Sequence, residues 1–169
     1  CPVSHNLTVK IKCIVPHKDK SFTEFTETGK YIHDIVCIPD HGFCYPQGSV
    51  DRGGEYSKIP MLWLGGAVKQ PMKVDKIINQ ADMAATLLAQ LGLDHSMFTF
   101  SRNVLGSDYS YPFAFHTSGS TFTFRDSTGV SAYDTKANTI SYEEPSPSED
   151  RLKRGKAILQ SVYDDLGKR

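Results

Sequence analysis

The sequence predicts an α/β fold: a sheet with flanking helices, followed by an antiparallel meander and a terminal helix. Three observations predict it. Two short, nearly continuous apolar runs, HDIVCIP (His33 to Pro39) and IPMLWLGG (Ile59 to Gly66), have the composition of strands covered on both faces. A segment of helical period follows, and beyond it β-forming residues alternate with turn residues for some thirty positions.

In chain order, LTVKIKCIV (Leu7 to Val15) alternates apolar and polar residues and reads as a strand. SFTEFTETGK (Ser21 to Lys30) has no clear period, and residues 1–30 form a segment of their own. HDIVCIP is the first of the two buried strands. GFCYPQGSVDRGGEYSK, rich in glycine and polar residues, reads as an exposed loop joining it to the second, IPMLWLGG. The next element is a helix that Asn79 can cap, with Asp82 three residues later. Its apolar face comprises Ile77, Ala81, Ala84, Leu88 and Leu91, and Gly92 stops it. YPFAFHTSG, STFTFRDSTG and VSAYDTKANTISYEE then predict the meander, turning at Ser-Gly, Thr-Gly and Lys-Ala-Asn, with one face of TFTFRD in water. After EEPSPSED, Ser148 can cap a last helix whose stripe is Leu152, Leu159, Val162, Tyr163 and Leu166.

Composition narrows the function. The 169 residues, 39% of them apolar, allow one core of useful size. Lysine plus arginine equal aspartate plus glutamate at 19 each, which argues against a nucleic-acid binder held by phosphate neutralisation. No run approaches the roughly 20 apolar residues that span a bilayer. The first residue is Cys1, so the chain is expected to be processed, trimmed or part of something longer, a lipid-anchored mature terminus being the alternative. Cys1, Cys13, Cys37 and Cys44 include no CxxC pair and leave the redox compartment open.

The residues with most chemical promise follow the first apolar run. Asp40 and His41 stand at the carboxyl end of a strand, where ligands gather in open α/β sheets. A carboxylate oxygen and an imidazole nitrogen suit zinc or manganese, and Gly42 permits a sharp turn directly after them. The same three residues also fit an aspartate-initiated turn with a hydrogen-bonded histidine. Cys37, His41 and Cys44, with His33, offer a second route to zinc, although the spacing fits no common module and alternation would bury Cys37 as a small hydrophobe. His95, after the helix stop, and His116, in the meander, read as structural. Lys58 and Arg52 are candidate contacts for an anionic ester, against the alternative of solvated surface cations.

Four segments in order, PDHGFCYPQG, YSKIPMLWLGGAVKQP, INQADMAATLLAQLGLDHSMFTFSRNVLGSDYSYPFAF and FRDSTGVSAYD, together resemble the C-terminal part of bacterial sulfatase-like proteins of the lipoteichoic acid synthase (phosphoglycerol transferase) family, within the alkaline phosphatase superfamily. The resemblance covers about Tyr31 to Asp134 and, loosely, the last helix, so that residues 31–169 correspond to the C-terminal part of a sulfatase-like catalytic domain. It implies an alkaline-phosphatase-like sheet sandwiched by helices, with Asp40 and His41 matching metal ligands for a divalent ion (Mn, Zn, Mg or Ca). It implies metal-dependent hydrolysis or transfer of a phosphoester or sulfate ester, with a threonine nucleophile and a further acidic ligand far upstream of the Asp-His pair.

Only 39 residues precede Asp40, so the chain is expected to be a partial catalytic domain with no assignable nucleophile. Lys58 departs from the histidine that relatives commonly carry before the second strand, and Phe43 and Cys44 depart from their basic or histidine residues. The resemblance also implies a membrane-anchored parent at the cell envelope, facing outward. The alternative is a non-catalytic binding or structural module derived from this fold. If part of the sheet lies outside the chain, its apolar strands are expected to make the chain self-associate.

Overall fold

The computed structural model describes residues 10–12, 34–39, 58–65 and 70–169. They form two four-stranded sheets and two helices, a mixed α/β arrangement.

The first sheet contains β1 (Lys10–Lys12), β2 (Asp34–Cys37), β3 (Pro60–Gly65) and β4 (Lys73–Val74), in the order β2-β3-β1-β4. β1 runs parallel to β3, while β2 is antiparallel to β3 and β4 to β1. Side chains of β3 alternate in the way the pleat requires. Ile59, Met61 and Trp63 face a core completed by Val74, Ile78 and Val104, each at most 7% exposed.

β2 differs from the strand covered on both faces that its apolar run predicts. Val36 and Ile38 pack against this core, but Ile35 is 41% exposed and Cys37 is exposed as well. Among the described residues β2 is an edge strand with one packed face, so its continuous hydrophobicity overstates its burial. The exposure of Cys37 equally overturns the expectation that alternation buries it.

The first helix, α1 (Asp82–Gln90), ends as the sequence leads one to expect. Gly92 has φ +69°, its N–H donates to the Ala89 carbonyl, and the Leu93 N–H reaches the Leu88 carbonyl. This pair of bonds closes a helix through a left-handed residue, which glycine supplies without steric cost. The start differs from expectation. Ala81 occupies the capping position without a side-chain bond, and the Asn79 amide oxygen instead accepts from Phe115 N–H at 2.8 Å.

The buried face of α1 also differs. Asp82, Ala85 and Thr86 are buried and Met83 and Leu87 pack on the first core, while Ala81 and Leu91 are exposed. The segment after the helix covers a second side of it, and that contact lies beyond any count of helical period.

The second sheet is the expected meander: β5 (Phe113–Ser118), β6 (Thr121–Asp126), β7 (Gly129–Asp134) and β8 (Thr139–Glu144), each antiparallel to the next. Gly119 (φ +58°) and Asn138 (φ +54°) take the left-handed conformations at two of its turns. The outer face of TFTFRD is less wet than expected, with Thr121 and Arg125 half-buried on either side of Thr123. Phe122, Phe124 and Asp126 are buried on one face, and Thr123 is 8% exposed on the other, where its register neighbour Ala132 is buried too.

The terminal helix, α2 (Glu149–Leu166), begins at Ser148, whose hydroxyl accepts from Arg151 N–H. It packs on β6 and β7. Its buried positions are Arg151 and Gly155 rather than the predicted apolar stripe, of which Tyr163 and Leu166 are 62% and 60% exposed. The helix sits down on the sheet where its side chains are smallest or best hydrogen-bonded. Its apolar residues are left on the flanks.

Candidate functional site

β2 and β3 run antiparallel with Cys37 opposite Leu62, so the chain leaving β2 and the chain entering β3 stand at the same end of the sheet. That end carries Ile38 and Pro39, immediately before Asp40, and Lys58, which is exposed beside the buried Ile59. A hollow of about 650 Å³ lies there, lined by Val36 to Pro39 and by Pro60 to Leu62. Gln80, just ahead of α1, donates from its side-chain nitrogen to the Pro39 carbonyl at 3.1 Å and ties the strand end to the helix start. Asp40, His41 and Arg52, and with them His33 and Cys44, lie outside the described residues. Among the sequence-derived site candidates, the structure therefore positions Lys58 and the strand end that leads to Asp40.

A second polar centre underlies α1. Asp82 is fully buried, and its carboxylate accepts from Asn79 N–H (2.8 Å), Arg102 N–H (3.0 Å) and the Arg102 guanidinium (3.0 and 2.6 Å). The guanidinium carbon stands 3.7 Å from the Phe113 ring centroid and 4.9 Å from that of Tyr109, and Nη2 also donates to the Phe113 carbonyl at 2.9 Å. Burial pushes the Tyr109 phenol up, against the opposing Arg102 charge, and the phenol donates to the Ile77 carbonyl at 2.7 Å. With its lone pairs occupied by four donors, Asp82 works as a clamp joining α1, the 101–113 segment and β5 rather than as a general base. Asp82 was legible only as a capping candidate. Its partner is twenty residues away, and no local pattern identifies Arg102.

A third centre secures α2. Arg151 is 2% exposed and donates to Ser131 Oγ at 2.9 Å and to Thr128 Oγ1 at 3.0 Å, and its other end reaches the Ser146 carbonyl. Burial works against ionisation of Asp126, but hydrogen bonds from the Thr128 hydroxyl and from Tyr111 outweigh it and hold the carboxyl below its ordinary value. Tyr111, desolvated and donating to that carboxylate, is pushed up to about 12. Each group has its counterpart, and the arrangement reads as structural.

His95 is half-buried beyond the end of α1, and His116 is half-buried on β5. Among the described residues no three His, Cys, Asp or Glu side chains stand together as a metal-holding group. No described helix is long and apolar enough to cross a membrane. Compared with known proteins, the chain matches no family model, no curated protein and no solved structure.

Proposed function

We propose that this chain contributes Asp40 and His41 to the metal site of an alkaline-phosphatase-like enzyme, related to the sulfatase-like phosphoglycerol transferases, that hydrolyses or transfers a phosphoester or sulfate ester. One observation carries the reading: the paired strand β2 ends at Cys37, three residues before Asp40 in the sequence, and the Gln80 bond to the Pro39 carbonyl holds that strand end on the side of the sheet that also carries Lys58. The donor set fits a divalent ion, since an adjacent carboxylate and imidazole supply hard oxygen and borderline nitrogen ligands.

Asp40 and His41 would hold manganese, zinc, magnesium or calcium, and a bound ion of this kind polarises the ester oxygens. Lys58, exposed at the same end of the sheet, offers an ammonium to the anionic ester, and Arg52 is the second candidate for that role. The nucleophile is assigned to no residue of this chain. Outward placement at the cell envelope through a membrane-anchored parent, and self-association through surfaces such as the exposed Ile35 on β2, belong to the same proposal.

The test is calorimetric titration of the chain with manganese and zinc, alongside a double variant carrying Asp40→Ala and His41→Ala. Saturable binding by the parent chain and its loss in the variant is the expected result. Equal binding by both, or binding by neither, would overturn the metal assignment and favour a non-catalytic module of the same fold.

A further inference from the structure

A cleft of about 610 Å³ opens between the start of α1, the edge strand β5 and the second half of α2. It exists because α2 is anchored at its beginning. Arg151 and Gly155 bring the helix onto β6 and β7, whereas from Ala157 onward Ile158 and Val162 are only half-buried and form one wall. Hydrogen bonds brace the opposite wall: Phe115 N–H to Asn79 Oδ1 at 2.8 Å, Ser101 Oγ to the Ala81 carbonyl at 2.6 Å, and Arg102 Nη2 to the Phe113 carbonyl at 2.9 Å. The space is thus framed by ties on one side and a diverging helix on the other. Its volume lies within the roughly 300–1,000 Å³ usual for small-molecule sites.

The lining chemistry selects the ligand. Phe100, Phe115, Ile158 and Val162 supply apolar and ring surface. Among the described residues, the ionisable side chain in the lining beside the imidazole of His116 is Arg102, whose charge the buried Asp82 carboxylate already neutralises at 2.6 Å. An anion entering the cleft would lose water and gain no free cation, so the ligand part that binds there is uncharged. Gln80 lines the cleft at the end nearest the first sheet, and it is the residue that bonds to Pro39. One end of the cleft is therefore tied by one hydrogen bond to Pro39, which follows the end of β2.

We infer that this cleft receives the uncharged, ring-bearing alcohol part of the ester, leaving the charged head to the strand end at Asp40, an inference that rests on the reading under Proposed function. The probes are 2-naphthol and 2-naphthyl phosphate, titrated into the full chain with and without manganese. Saturable 2-naphthol binding is expected, weakened at least about tenfold by Ser161→Trp, which fills the cleft from an exposed helix position, and weakened also by Phe100→Ala. Both sites tolerate change without loss of the core, since Ser161 is exposed and Phe100 is 40% exposed. Manganese is expected to tighten naphthyl phosphate alone, and Asp40→Ala to abolish that tightening while leaving 2-naphthol binding unchanged.

No saturable 2-naphthol binding, or equal binding by the parent chain and both cleft variants, would overturn the cleft as a site whatever the metal does. Cleft binding of 2-naphthol without any effect of manganese on the phosphate would overturn its assignment to an ester. If manganese itself then fails to bind, the fault lies in the metal reading rather than in the cleft.

Discussion

Replacing Gly155 by alanine sets two physical effects against each other, and the structure decides between them. In a helix interior, glycine to alanine is worth about 1 kcal/mol in favour of alanine. At this position, however, a Cβ would collide with Cε2 of Phe122 and stand 2.9 and 3.0 Å from Cδ2 and Cζ, whereas ordinary contact begins at 3.4 Å. Phe122 has no room to retreat. It is fully buried and flanked by Phe115 and Tyr133, with ring centroids 5.7 and 5.6 Å away.

The helix must instead lift by roughly 1 Å, loosening the Arg151 bonds one turn earlier. Overpacking of this kind costs about 1–3 kcal/mol, and the lost hydrogen-bond geometry adds about 1 kcal/mol, so Gly155→Ala should destabilise by about 2 kcal/mol net. For a chain of this length that lowers Tm by about 4–8 °C. Gly167, where a Cβ meets nothing closer than 3.5 Å, is the control, and Gly167→Ala should leave Tm unchanged or slightly raised. Thermal melts followed by circular dichroism would read both variants. A Gly155→Ala protein at least as stable as its parent would refute the close approach of α2 to β6.

Two further outcomes follow from the buried charges. Asp82→Ala strands the Arg102 guanidinium, whose side chain is only 25% exposed, and should cost about 3–5 kcal/mol in urea unfolding. A loss below about 1 kcal/mol would show that the pair is not the clamp described. Asp126 has its carboxyl held below the ordinary 3.8, so its contribution is full above that value and disappears as pH falls through the folded-state pKa. Asp126→Asn should therefore be less stable than the parent near pH 7, and the gap should narrow below about pH 4. A gap of constant size across urea midpoints at pH 7 and pH 3 would contradict it.

What the sequence determined by itself was what short-range physics controls. The turns of the meander follow from residues that tolerate or favour left-handed backbone, Gly119 and Asn138 among them, and α1 stops at Gly92 for the same reason. Ser148 caps α2 because a hydroxyl three residues before an orphan N–H needs no tertiary help. The strand character of IVC and PMLWLG was also legible, because composition and alternation are local properties.

Tertiary structure alone decided which faces are covered. A helical stripe records which residues are apolar, but α2 approaches the sheet through Gly155 and Arg151, where a missing side chain allows contact with Phe122 and a saturated guanidinium lowers the cost of burial. The continuous apolar run of β2 carried no information about which of its faces is covered: Val36 and Ile38 pack on the core, while Ile35 and Cys37 on the other face are exposed. Likewise Asp82 finds Arg102 across twenty residues, and Gln80 finds the Pro39 carbonyl across forty-one. Such pairings depend on how sheets and helices stack, a global sum of packing energies that no window of sequence contains.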